Sequence, residues 1–209
     1  MRGFTLVELL IVIALIAILS VAVLATINPI EQSNKARDAA QKNDAAEVLG
    51  ALERYYTSQN GYPWNNSSIG TTVAQGTVVA IGSSSPLFGV IGAGSSGGVL
   101  IATSELKSSF MGKKPFVATG DAIDKMYVYH NGTDSNYVCY IPKATANRTT
   151  GGSVNPNLKC MTLSESGTAS LKNAGDTGCS NTNVWTASTA SDMGTGKANL
   201  LCVPEGRIE

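Results

Sequence analysis

Residues 4–27 read FTLVELLIVIALIAILSVAVLATI. The stretch holds one charged residue, Glu8, and neither Gly nor Pro. As a helix it extends roughly 36 Å at about 1.5 Å per residue, enough to cross a bilayer core of about 30 Å. Leu and Ala favour that helix, and Ile and Val cost little once apolar packing is available. Only Met1, Arg2 and Gly3 precede it. A secretory signal peptide has a shorter apolar core, ~7–15 residues, followed by a small-residue cleavage site. Here the run is longer, and a charged helical pattern follows it. A plain membrane anchor accounts for the length but not for Glu8, because a carboxylate deep in an apolar helix costs about 3 kcal/mol unless it is paired.

Gly3-Phe4-Thr5-Leu6-Val7-Glu8-Leu9 resembles the processing site of type IV pilins and the related pseudopilins. The resemblance rests on a short basic leader, a Gly-Phe junction, a Glu shortly after it and a long apolar run. It implies that a prepilin peptidase cuts between Gly3 and Phe4 on the cytoplasmic side, and that Phe4 becomes the N-methylated first residue. It implies further that Glu8 meets the new Phe4 amine of a neighbouring subunit during assembly. Two departures stand out. The only Pro near the apolar run is Pro29, and no Gly lies between Phe4 and Val48, whereas many family members have a Pro earlier and a Gly inside the run. Pro29 is therefore the expected place for the helix to kink, since Pro removes a backbone donor and clashes with the preceding turn.

These readings divide the chain into a leader (1–3), a transmembrane and filament-core helix (4–30), an amphipathic second half of the helix (31–60) and a β-rich head (61–209). Arg2 before the apolar run keeps the N-terminus cytoplasmic and sends the bulk of the chain across. In the second half Ala45, Val48, Leu49, Leu52, Tyr55 and Tyr56 recur at three- and four-residue spacing, one apolar stripe to lie on a sheet. Asp38 and Lys42 are expected to pair on the outer face. Asn60-Gly61-Tyr62-Pro63 stops the helix, because Asn and Gly suit a left-handed cap and Pro cannot continue it.

In the head, Lys125–His130 and Asn136–Ile141 are rich in aromatic and β-branched residues and flank the turn-forming Asn131–Ser135; they read as an antiparallel hairpin. Thr77–Ile81, Val99–Thr103, Leu158–Leu163 and Asn199–Val203 are further strand candidates, and Glu105–Met111 a short helix. Ser164–Lys197 reads as polar loop around Trp185. The expected class is α+β: a long helix, kinked near Pro29, packed on an antiparallel sheet with a disulfide-tied C-terminal region.

Cys139, Cys160, Cys179 and Cys202 all lie in the exported part, and an even count there reads as two disulfides. Nearest neighbours are expected to join, Cys139 with Cys160 and Cys179 with Cys202. A metal site is disfavoured, since no pair has CxxC spacing and His130 is the sole histidine. Fifteen basic and fifteen acidic residues leave no net charge, which gives no field for nucleic acid. No phosphate-loop or dinucleotide motif is present, and no Ser, His or carboxylate set points to catalysis, so neither an enzyme nor a cofactor is expected. Trp64 reads as a packing residue. The function implied is assembly: a membrane-stored subunit that polymerises with its own copies into a helical filament outside the cell, for adhesion, motility or DNA uptake. The alternatives are a pseudopilin of a secretion or DNA-uptake machine, and a membrane-anchored binding module that does not polymerise. No surface ligand is legible.

Overall fold

A computed structural model describes residues 3–26, 28–65, 73–81, 87–93, 96–117, 124–132, 136–150, 153–163, 169–177, 179, 197–206 and 208. Two helices begin the chain, α1 (Leu6–Thr26) and α2 (Pro29–Gln59). Pro29 opens α2 instead of kinking one continuous helix. Its missing N–H is no loss at a first helical position, where no partner exists. Asn28 caps the new helix: its backbone is extended, and its side chain accepts from Glu31 N at 3.2 Å. At the other end Asn60 takes the left-handed conformation expected of it (φ 52°).

The head carries strands β1 (Thr77–Ile81), β2 (Gly92–Ala93), β3 (Ser96–Gly97), β4 (Met126–His130), β5 (Asn136–Tyr140), β6 (Thr149–Thr150), β7 (Ser153–Val154), β8 (Lys159–Leu163), β9 (Ala169–Asn173) and β10 (Lys197–Val203). Short helices α3 (Phe88–Ile91), α4 (Val99–Ala102), α5 (Lys114–Val117) and α6 (Thr145–Arg148) lie between them. Six strands form one antiparallel sheet in the order β1-β4-β5-β10-β8-β9. The chain is therefore α+β. The expected β4–β5 hairpin forms, with Val128 opposite Val138 and His130 opposite Asn136.

Strand periodicity sorts the side chains into two cores. On the face toward α2, Ile81, Met126, Val128, Val138 and Tyr140 pack against Ala45, Val48, Leu49, Leu52 and Tyr55. On the far face Val78, Tyr127, Tyr129, Tyr137, Cys139, Leu171, Leu200 and Cys202 form a second cluster. The edge strands β1 and β9 approach each other, with Val78 and Leu171 in that same cluster. The sheet thus curls around its own aromatic face, which is why β4 and β5 are buried almost throughout rather than on alternate residues.

Several expectations are corrected. Val99–Ala102 is a helical turn, not a strand. Gly98 N donates to Ile91 O at 2.8 Å, and a Cβ at Gly98 would lie 2.6 Å from the Ile91 backbone, so the chain turns there in contact with α3. Ser108–Gly112 is a 3₁₀ turn placed just after the expected helix start. The supposed polar loop 164–197 contains β9, which pairs with β8 along its whole length. Its sequence ASLKN is too polar to announce a strand, yet edge strands tolerate polar residues on their open face. Trp185 lies outside the described residues. Tyr56, counted in the buried stripe, is 45% exposed and meets the Tyr62 ring at a 33° tilt instead.

The cysteine pairing is also corrected. Cys139 bonds Cys202 and Cys160 bonds Cys179. β10 inserts between β5 and β8, so Cys202 becomes the direct cross-strand partner of Cys139. Cys160 on β8 is left to reach Cys179, six residues past the end of β9. Strand order, not sequence proximity, decides the pairs.

Candidate assembly site at the N-terminal helix

The first helical residue is Leu6, and the residue before it, Thr5, is its cap. Thr5 O accepts from Leu9 N at 3.3 Å, and Thr5 Oγ1 accepts from Glu8 N at 3.2 Å. In return Glu8 Oε2 accepts from Thr5 N at 2.9 Å and from the Thr5 hydroxyl at 2.8 Å. This reciprocal pattern is a capping box, Ser/Thr-x-x-Glu, and it satisfies backbone donors that a helix start otherwise leaves orphaned. The sequence shows the pattern as Thr5-Leu6-Val7-Glu8, which gives Glu8 a partner in its own chain besides the one expected on a neighbouring subunit. The box meets a specific need. A carboxylate in an apolar layer keeps its charge only where donors compensate desolvation, and Thr5 supplies two. Thr5 N belongs to the Phe4–Thr5 peptide, so cutting between Gly3 and Phe4 leaves the box intact and creates an amine one residue away.

From Leu6 to Leu24 the helix is long and apolar enough to cross a membrane, and none of it is buried in the protein. Every large side chain there faces outward: Leu6 is 80% exposed, and even the most covered, Val12, is 43% exposed. Phe4 is exposed as well. Soluble proteins do not leave so large an apolar surface without a partner. Apart from Glu8, Ser20 is the one polar residue in that span, and its hydroxyl donates to Ile16 O at 2.7 Å, so it adds no unsatisfied group.

The second helix is held to the head by carboxylates. Asp38 is 1% exposed and accepts from Lys143 N, Ala144 N and Asn147 Nδ2, each at 2.8 Å, and from Arg37 Nη1 at 3.3 Å. It therefore faces inward, and the expected pair with Lys42 is not made; Lys42 bridges to Glu205. Glu31 Oε1 accepts from Ala146 N and its Oε2 from the Thr145 hydroxyl, both at 3.3 Å. The Thr145 backbone N–H does most to hold the Glu31 carboxyl below its ordinary range; the Ala146 N–H and the Thr145 hydroxyl add to it against the opposing effect of burial. Asp124 receives Arg37 Nη2 at 3.0 Å, Lys114 Nζ at 3.0 Å and Lys143 Nζ at 3.2 Å. Burial alone would raise its pKa, but the Lys114 and Lys143 contacts outweigh burial and lower it.

His130 lies edge-on to Tyr62 and Trp64, with Nδ1 2.7 Å from Asn136 Oδ1. Trp64 is buried, which suits the packing role expected of it. No group of three or more potential metal ligands occurs among the described residues.

No curated protein and no solved structure matches the chain. A family model described as the prokaryotic N-terminal methylation motif matches residues 1–24. Those residues end within the apolar helix and include Gly3, Phe4, Thr5 and Glu8. The chain thus carries the N-terminal signature of type IV pilins and pseudopilins.

Proposed function

We propose that the chain is the main structural subunit of a type IV surface filament, built by helical polymerisation of its own copies. The observation that carries this reading is α1: an apolar helix with no side chain buried against its own head, opening on a motif that implies peptidase processing and N-methylation. Before assembly the bilayer covers α1. In the filament, α1 helices of other copies cover it, and burial at about 25 cal/mol per Å² supplies the cohesion. An interface between unlike patches that does not close a ring builds a helix of subunits.

In this account Gly3 and Phe4 form the cleavage junction, Phe4 is methylated, and Glu8 receives the Phe4 amine of an adjacent subunit. An unpaired charge at that depth is penalised, so the pair fixes register. The precursor resides in the inner membrane, and the peptidase and assembly machinery act on it there. The two disulfides suit a head displayed in an oxidising space.

The test is to shear surface fibres from cells, image them, and identify their main chain by peptide mass. Long fibres made chiefly of this chain are expected. Processed chain that stays at trace level among fibres of another subunit would assign it instead to a pseudopilin or a minor component.

A further inference from the structure

The basic residues at the start of α2 are not evenly balanced. Lys35, Arg37, Lys114, Lys143 and Arg148 gather around Glu31, Asp38 and Asp124, five cations to three carboxylates. One of those carboxylates, Asp38, is buried. Farther along α2 the surplus ends. Lys42 pairs with Glu205, and Lys113 with Asp44. Toward the far end Glu47, Glu53 and Glu105 outnumber Arg54 and Lys107.

Position gives the surplus a meaning. Leu6–Leu24 spans about 28 Å as a helix, close to a bilayer core of about 30 Å. α1 ends two residues later at Thr26 and Asn28 caps α2, so only the few residues before Pro29 would cross the headgroup layer. α2 then starts at the water side of that layer. Glu31, its third residue, bonds Thr145 and Ala146, so the segment from Lys143 to Arg148 sits level with the first turns of α2. Lys35 follows one turn later. With α1 across a bilayer, these cations would lie on the part of the head nearest the lipid.

We propose that this patch binds the phosphate groups of anionic phospholipids in the leaflet from which the head emerges, and so holds the unassembled subunit upright at the membrane surface. The proposal rests on α1 being membrane-embedded and not on polymerisation.

The full chain is reconstituted into vesicles of phosphatidylcholine alone or with added phosphatidylglycerol, and lysine acetylation is followed by mass spectrometry. Resistance to alkaline extraction shows that α1 is inserted; extraction would sink the anchor reading and this proposal with it. Near an anionic surface each basic residue gains about 1 kcal/mol, so Lys35 and Lys143 should react about fivefold more slowly with phosphatidylglycerol present. Lys107, at the far end, serves as the internal control and should not change. High salt should abolish the difference, and a Lys35→Gln, Lys143→Gln chain should lose it at Lys114. Equal reactivity of Lys35 and Lys143 in both vesicles, with α1 inserted, overturns the proposal. So does protection that appears only in fibres, which would assign the patch to a second copy.

Discussion

Glu8 Oε2 accepts two bonds from Thr5, the backbone N–H at 2.9 Å and the hydroxyl at 2.8 Å. The carboxylate is thereby oriented by its own helix before any neighbour arrives. Two roles are combined in one residue, cap and charge, and substitutions separate them. Glu8→Gln keeps a cap acceptor but removes the charge; Glu8→Ala removes both; Thr5→Val removes one donor and the cap oxygen, at about 1 kcal/mol of helix stability. Fibre yield at matched levels of processed chain is expected to fall steeply for both Glu8 variants and less for Thr5→Val, with Thr5→Ser close to wild type. Membrane insertion should survive in all four, since none adds a charge to the apolar run. Wild-type yield from Glu8→Gln would falsify a docking role for the charge.

Asp38 ties α2 to the head through three bonds of 2.8 Å, from Lys143 N, Ala144 N and Asn147 Nδ2. Asp38→Ala strands the N–H groups of Lys143 and Ala144 in a poorly solvated place, and each unsatisfied buried group costs about 1–3 kcal/mol. A loss of about 3 kcal/mol in urea unfolding of the detergent-solubilised chain is expected, with Asp38→Asn losing less. Unchanged unfolding midpoints would show that α2 docks through its apolar stripe alone.

Asp124 makes stability depend on pH. Its pKa is lower in the fold than the ordinary 3.8. A carboxylate shifted this way stabilises the fold above its unfolded pKa, and the contribution disappears as pH falls through the folded value. The Tm of the wild type should therefore exceed that of Asp124→Asn near neutral pH, and the gap should close as pH drops below about 4. A gap that stays constant into acid would mean that the three cations around Asp124 contribute no net attraction.

The disulfides should be unequal. Cys139–Cys202 closes 63 residues and Cys160–Cys179 closes 19. Loop-closure entropy gives about 4 kcal/mol for the first and about 3 kcal/mol for the second. The pair Cys139→Ala, Cys202→Ala should thus lower stability more than Cys160→Ala, Cys179→Ala. A non-reducing peptide map should join Cys139 to Cys202; a Cys139–Cys160 peptide would contradict the strand order.

What was legible in the sequence was whatever local patterning specifies. The apolar run, the Pro29 interruption, the stripe from Ala45 to Tyr55 and the β4–β5 hairpin all follow from periodicity and turn residues within a few positions of each other. What was hidden depends on contacts distant in sequence. Cys202 faces Cys139 only because β10 enters the sheet between β5 and β8. β9 is a strand because β8 offers it an edge, and its own residues hardly ask for one. Asp38 looked like a surface charge one turn from Lys42, but the donors that bury it come from residues 143–147. At the assembly site the opposite holds. Thr5-Leu6-Val7-Glu8 is a local capping signal, legible within four residues.

The proposed filament requires a chain that is cut after Gly3, methylated at Phe4 and assembled through α1. Mass spectrometry of the N-terminal peptide from assembled surface fibres tests it most directly. The account predicts a chain that begins at Phe4 and carries one N-methyl group. Fibres whose chains retain Met1, Arg2 and Gly3 would contradict it.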